Sequence, residues 1–403
     1  MPRFSADFIV LSADRWLRNA TLVVEQGMVR AVHTERSSRV DRAFHHAIIA
    51  PGLINAHAHL DLTLFPRSWR PAPPANFFDW VREIVAYRRC ATLDELRAAV
   101  QTGVQQCLAA GITAVGDIVT LGLPPRDWLP LRGVLFGELL GAEPRRIEAV
   151  RHAAQQWLDA AQAAAARLGS LAISFAPHAP YSTARCLYEW AAAQCPNLPL
   201  TTHLFELPEE AALLERSAGA ERLVEFLKEM AAWAPEALWN TASLVTFLER
   251  AGSRWLLAHA NYAPPETLAR VSHRVAVVFC PRTHAYFGHG QHPWSQLQRR
   301  GVLVMLGTDS VASSETFDLL HEANEAVRRC GMSPAEAFRM VTERPAAALA
   351  LQRAGSLEPG HWADFFVARP PALSEDPITE LLDPRTQVVA TFIAGRPVYE
   401  ADG

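Results

Sequence analysis

Apolar and polar positions along this chain alternate in a regular order: a short apolar run, then a longer stretch with helical spacing. Eight such runs can be read, Ile48–Asn55, Ile112–Ile118, Gly133–Leu140, Leu171–Pro177, Leu198–His203, Arg254–His259, Val275–Cys280 and Val302–Thr308. Between them lie alanine- and leucine-rich stretches such as Leu93–Leu108, Arg146–Leu168, Ala184–Gln194 and Pro208–Trp233. Strands alternating with helices predict an α/β chain with a parallel sheet, and eight repeats predict a closed (β/α)8 TIM-type barrel. The flanks follow another rule. Residues 1–47 alternate in the β manner, with a turn at Gln26-Gly27, and residues 355–400 do likewise. Neither flank is long enough for an independent sheet with two buried faces. A small β-sandwich built from both termini is therefore expected, with residues 1–50 plus 346–403 in one domain and 51–345 in the catalytic barrel. Phe65–Ala75, rich in proline and arginine, reads as a long loop; Phe77–Arg89 reads as an amphipathic helix over the barrel mouth.

Composition narrows the class. Half of the 403 residues are hydrophobic and 20% are charged, as in a soluble globular protein. A net charge of −4 gives no reason to expect nucleic acid or an anionic membrane as partner. No apolar stretch approaches the roughly 20 residues that span a bilayer, and the N-terminal residues lack a basic region followed by an apolar one. The six cysteines are scattered with no CxxC pair, so a cytoplasmic setting is the default. Lys228 is the single lysine.

In the predicted barrel, functional groups belong at the carboxyl ends of the strands. His57, His59, His178, His203, Glu206, His259 and Asp309 all lie at or just past such ends. His57 and His59 are an i, i+2 pair, which on a strand point to the same side and can grip one ion. With His203 after the fifth strand and Asp309 after the eighth, they make a candidate set for one catalytic divalent metal. Zinc suits three imidazoles and a carboxylate, and iron(II) or manganese(II) fits the same ligand types.

Several segments also carry a family resemblance. Pro51-Gly52-Leu53-Ile54-Asn55-Ala56-His57-Ala58-His59 resembles the PG-x-I/V-N/D-x-H-x-H signature of the amidohydrolase superfamily. His203-Leu204-Phe205-Glu206, Leu257-Ala258-His259, Leu306-Gly307-Thr308-Asp309-Ser310 and the closing Gly355–Val367 run resemble its cytosine/adenosine deaminase-like branch. The resemblance implies a mononuclear site with His57, His59, His203 and Asp309 as ligands. A binuclear relative with a carboxylated lysine on the fourth strand is disfavoured, because Leu171–His178 has none. The other zinc-deaminase architecture needs an H-x-E together with a P-C-x-x-C, and the sequence has no P-C-x-x-C.

A metal so held would bring its bound water toward a pKa of about 7. Asp309 would take the water's proton, His259 would steer the hydroxide, and Glu206 would protonate the ring nitrogen of a heteroaromatic amine. The implied activity is hydrolytic deamination of a small-molecule substrate with release of ammonia, on a 6-aminopurine nucleoside type such as aminofutalosine or an adenosine derivative. Ala176–Ser182 resembles the APHxPYT segment of S-adenosylhomocysteine, methylthioadenosine and aminofutalosine deaminases, which implies a sugar contact for His178. Cys280–Phe287 and Phe78–Arg82 resemble the aminofutalosine-deaminase-like subset. Arg282 and His284 either meet a substrate carboxylate or pin the loop; Glu138 either enters the pocket or is structural; Trp80, Phe77 and Tyr286 either stack on a ring or pack the lid. Asp61 stands without an arginine nearby in sequence before Arg67. A chlorohydrolase or an amide or cyclic-amidine hydrolase shares every metal ligand and stays open, as does a silent binding barrel. Many barrels of this kind pair as homodimers.

Overall fold

The computed structural model describes residues 1–35, 37, 39–65 and 76–401. Five N-terminal strands, β1 (Arg3–Ser12), β2 (Arg15–Glu25), β3 (Met28–His33), β4 (Arg42–Ala43) and β5 (Ile48–Pro51), precede the first strand of the catalytic region. That region carries β6 (Leu53–Ala58), β7 (Ile112–Val119), β8 (Arg132–Leu139), β9 (Leu171–Pro177), β10 (Leu200–Leu204), β11 (Trp255–His259), β12 (Val275–Phe279) and β13 (Leu303–Leu306). Three strands close the chain, β14 (Phe365–Arg369), β15 (Gln387–Ile393) and β16 (Arg396–Glu400).

β6 to β9 form one four-stranded parallel sheet and β10 to β13 another, each with neighbours in chain order. Hydrogen bonds join the two sheets at both edges. At one, the His203 N–H donates to the His178 carbonyl at 2.8 Å. At the other, the Asp309 N–H donates to the His57 carbonyl at 3.0 Å, and Ala58 and Asp309 make a parallel bridge. Every residue of β6, β7, β10, β11 and β12 is buried, as expected of parallel strands covered on both faces.

The terminal strands form one eight-stranded sheet, ordered β16-β15-β14-β5-β1-β2-β3, with β4 on β1. β5 joins the two ends of the chain, parallel to β1 and antiparallel to β14. Alternation then divides its side chains. Ile48, Ala50, Phe366 and Ala368 pack into the main core, whereas Ile49, Phe365, Val367 and Phe392 join Phe4 in a second one. The Phe365 and Phe392 rings stack at 4.5 Å. The run Ile48–Asn55 is thus two strands rather than one. Gly52 marks the break, where a Cβ would lie 2.1 Å from Thr113 Oγ1, so only glycine lets the chain pass from one sheet to the other.

The helices that frame the site are α1 (Phe77–Cys90), α2 (Leu93–Ala109), α3 (Pro144–Leu168), α4 (Arg185–Gln194), α5 (Pro208–Glu215) and α6 (Glu221–Glu229). α2 begins with a reciprocal capping box between Thr92 and Glu95. Pro208–Trp233, read from sequence as one helical stretch, is two helices. Arg216 adopts φ +55° at the end of α5, and Gly219 follows at φ +108°. The expected loop at Phe65–Ala75 falls almost wholly outside the described residues. Among the described residues no helix is long and apolar enough to cross a membrane.

Candidate metal and substrate site

The strand ends bring five side chains to one point. His57, His203 and His259 offer nitrogens within 4.8 Å of one another, and His57, His59 and Asp309 form a second such group, all buried. Ring centroids lie 5.0 Å apart for His57 and His59, 5.1 Å for His57 and His203, and 5.4 Å for His203 and His259. Asp309 Oδ1 sits 3.8 Å from His57 Nε2 and 3.7 Å from His59 Nε2. All four predicted ligands therefore meet, and His259 stands with them.

Local backbone explains the convergence. Asn55 donates through Nδ2 to Thr308 Oγ1 at 2.7 Å and accepts the Thr308 N–H at 3.1 Å, fastening β6 to the end of β13. Gly307 allows the approach: a Cβ there would lie 2.8 Å from Val278 and 3.0 Å from His57. Phe205, His259, Ala260 and Asp309 all have φ between +53° and +70°. For non-glycine residues this costs about 1–3 kcal/mol each and persists only where the surroundings hold it.

The donor set fits a divalent cation. Both ring nitrogens of His57 are buried without a hydrogen-bond partner among the described residues, a cost that coordination would remove at one of them. The His203 Nδ1–H donates to the His178 carbonyl at 2.9 Å, leaving Nε2 with its lone pair for an ion. Burial pushes the His203 imidazole down to about 3 and His178 to about 4, and takes His57, His59 and His259 well below the usual value. Neutral imidazoles are the ligating form. Lys228 is exposed on α6 and β9 carries no lysine, so no carboxylated bridge is available there.

The carboxyl groups divide by environment. Burial raises Asp309 to about 6, opposed by the Ser313 hydroxyl, which donates to Oδ2 at 3.1 Å. Burial, with Asp309 and Glu210 nearby, raises Glu206 well above the ordinary carboxyl range. Glu206 Oε1 lies 3.6 Å from His259 Nε2.

A cavity of about 370 Å³ opens from this cluster. Glu206, Asp309, His178 and Glu138 line it, together with Trp80 and Phe78 of α1 and Phe226 of α6. The helix over the mouth is thus α1. It is tied down by Trp80 Nε1 donating to the Ala312 carbonyl at 3.1 Å and by Arg82 paired with Glu229 of α6 at 2.6 Å. His178 Nδ1 sits 2.6 Å from the Ser182 hydroxyl. Arg282 and His284 do not line the cavity. Arg282 donates to the Thr316 carbonyl at 3.1 Å and lies beside buried Glu322, and His284 lies 2.9 Å from Asn261. Their side chains are engaged in holding loops, so of the two readings open from sequence the geometry favours the pin. Tyr286 is likewise outside the cavity, its ring 5.0 Å from Phe287.

Sequence reading missed Arg88. This guanidinium of α1 pairs with Glu138 at 2.6 Å and Asp61 at 3.2 Å and lies 3.4 Å from His59 Nδ1. It supplies the arginine that Asp61 lacked nearby in sequence. The signal was present: Phe77, Val81, Ile84, Val85 and Arg88 share one helical face, and a charge inside an apolar stripe calls for a buried partner. Glu210 was missed as well. It is fully buried and accepts the Glu206 N–H at 2.9 Å.

The model of the amidohydrolase family matches residues 48–398. Aminodeoxyfutalosine deaminase of Deinococcus radiodurans is 31% identical over 311 residues, covering 70% of this chain and 68% of that protein. 5-Methylthioadenosine/S-adenosylhomocysteine deaminase of Pyrococcus furiosus is 26% identical over 367 residues, covering 85% of this chain and 80% of that protein. In fold, the chain is similar to Helicobacter pylori aminofutalosine deaminase solved with methylthio-coformycin, with a TM-score of 0.83 at 21% identity over 99% of this chain and 100% of the other. With the buried imidazole cluster at its strand ends, the chain belongs to the amidohydrolase family.

Proposed function

We propose that this protein is a metal-dependent hydrolytic deaminase of a 6-aminopurine nucleoside-type substrate, releasing ammonia. One observation carries the reading: four buried imidazoles meet the carboxyl groups of Asp309 and Glu206 beside a cavity that aromatic side chains also line. The names of the Deinococcus and Pyrococcus relatives point to the same chemistry. In this reading the two parallel sheets close as a (β/α)8 barrel over residues 51–345, supported by the hydrogen bonds across both edges. The sheet of residues 1–50 and 346–403 wraps its own core as a β-sandwich, supported by the separate cluster around Phe4 and Phe365.

His57, His59, His203 and Asp309 would hold a divalent cation, with His259 beside them. When bound, the ion supplies Lewis acidity that makes hydroxide available at neutral pH. Zinc is the proposed ion, with iron(II) or manganese(II) compatible with the donors. Asp309, raised only to about 6, is a carboxylate at neutral pH and takes the proton of the attacking water. Glu206 is pushed toward its acid form and delivers a proton to the ring nitrogen. His259, 3.6 Å from Glu206, orients the nucleophile. Asp309 passes its proton to the amine, which leaves as ammonia, while the hydroxyl on the ring carbon gives its proton back to Glu206 and becomes the carbonyl oxygen. Glu138, partnered by Arg88, and His178 face the cavity as polar contacts for the sugar, while Trp80 and Phe226 cover the flat or apolar parts.

The test is ammonia release from a panel of adenosine derivatives and other aminopurines and aminopyrimidines, with and without added zinc, run beside chloride release from halogenated triazines. Ammonia from purine nucleosides is the expected result. Chloride release alone would move the assignment to a chlorohydrolase.

A further inference from the structure

We propose that a set of side chains at the end of β11, His292 with the pair His284 and Asn261, positions His259 to orient the nucleophile and Glu206 to deliver its proton; this rests on the roles given to those two groups above. The strand-end turns that present them contain Phe205, His259 and Ala260, all at positive φ. Such backbone relaxes unless neighbours over-determine it.

The neighbours are specific. His292, 3% exposed, has Nε2 2.8 Å from the His259 carbonyl, so Nε2 carries the proton and donates it. Its ring stacks on Phe279 with centroids 4.0 Å apart. Its other nitrogen, Nδ1, is buried with no partner among the described residues. A phenyl ring would stack equally well without burying an unpartnered nitrogen. What imidazole adds is one N–H to the His259 carbonyl.

On the other side, Asn261 Nδ2 donates to the Glu206 carbonyl at 3.1 Å, which turns its Oδ1 toward His284 Nδ1 at 2.9 Å. His284 thus lies between two acceptor oxygens, Asn261 Oδ1 at Nδ1 and the Gly290 carbonyl 2.5 Å from Nε2, and the neutral ring donates its single N–H to one of them. Neither His284 nor His292 lines the cavity, so neither touches substrate; both act through the backbone of residues that do. They are positioning residues.

The experiment compares wild type, His292→Phe, His292→Gln and Asn261→Leu, each loaded with zinc. His292→Phe is expected to lower kcat roughly 10–100-fold. KM, zinc content per chain and thermal midpoint should stay near wild type. Glutamine, which can donate to the same carbonyl, should recover most of the loss. Asn261→Leu should show a loss of the same order through Glu206. Amide hydrogen exchange across residues 204–262 is read on the same proteins, and Ala260, whose N–H donates to the Leu204 carbonyl, should exchange faster in His292→Phe. Wild-type kcat in His292→Phe would overturn the proposal. So would a joint loss of kcat, zinc and thermal midpoint that glutamine does not repair, or unaltered exchange in the folded variants. If His292→Phe does not fold, Asn261→Leu decides by the same readings. If wild type releases no ammonia from any nucleoside, the functional reading fails, and the exchange comparison still tests the set.

Discussion

The two sides of the cavity are built by different means. On the side of the imidazole cluster, functional groups sit at or just past strand ends, and several are fastened across neighbouring strand ends: His57 by Asp309, His203 by His178, Thr308 by Asn55. On the other side, Trp80, Phe78 and Phe226 come from α1 and α6, which pack through hydrophobic clusters around Phe78 and Ile84 and are tied by the Trp80–Ala312 and Arg82–Glu229 contacts. In the proposed reading, chemistry falls to the strand-end residues and recognition to side chains of α1 and α6. Arg88 crosses the divide. It starts on the lid helix and ends beside Asp61, Glu138 and His59.

That division can be broken by substitution. The largest effect is expected for His203→Ala, which should lose both the cation and measurable turnover, read by elemental analysis and ammonia assay. Next is Glu206→Gln, which should keep the cation and lower kcat by about 10²–10⁴-fold. Arg88→Met, which frees two buried carboxylates, should lower kcat/KM by roughly 10–100-fold and raise KM as well, because it acts on both sides. Phe226→Ala or Trp80→Ala should raise KM by roughly tenfold with kcat near wild type, the energy of one partly buried aromatic contact. A kcat loss in the lid variants as large as that of Glu206→Gln would erase the distinction.

The smallest effect concerns pH and Glu210. Burial raises its folded-state value to about 8, whereas the unfolded value is near the ordinary 4.5. Between those values the folded state binds the extra proton, so this residue lowers stability as pH rises from about 4.5 to 8. Glu210→Gln should flatten the fall in thermal midpoint of the metal-free protein across that window. An unchanged slope would mean that Glu210 does not titrate there.

Much of the imidazole-cluster side was legible because strand ends leave a clear trace: an apolar run, then a ligating residue. His57, His59, His203, Glu206, His259 and Asp309 all follow that rule. The rest depends on contacts that local patterns do not encode. Arg82, Arg88 and Arg89 look alike in sequence, yet Arg88 is the one that reaches Asp61 and Glu138. Arg282 and His284 sat beside a telling motif but turned to Thr316 and Asn261. The split of Ile48–Asn55 between two sheets hinges on Gly52, whose neighbour Thr113 lies far along the chain.

The most direct test is the metal content of purified wild-type protein and of His57→Ala after equal zinc loading and desalting. One ion per chain in wild type and none in the variant is the expected result. No retained ion in wild type, or the same content in both, would contradict a single cation held by His57, His59, His203 and Asp309.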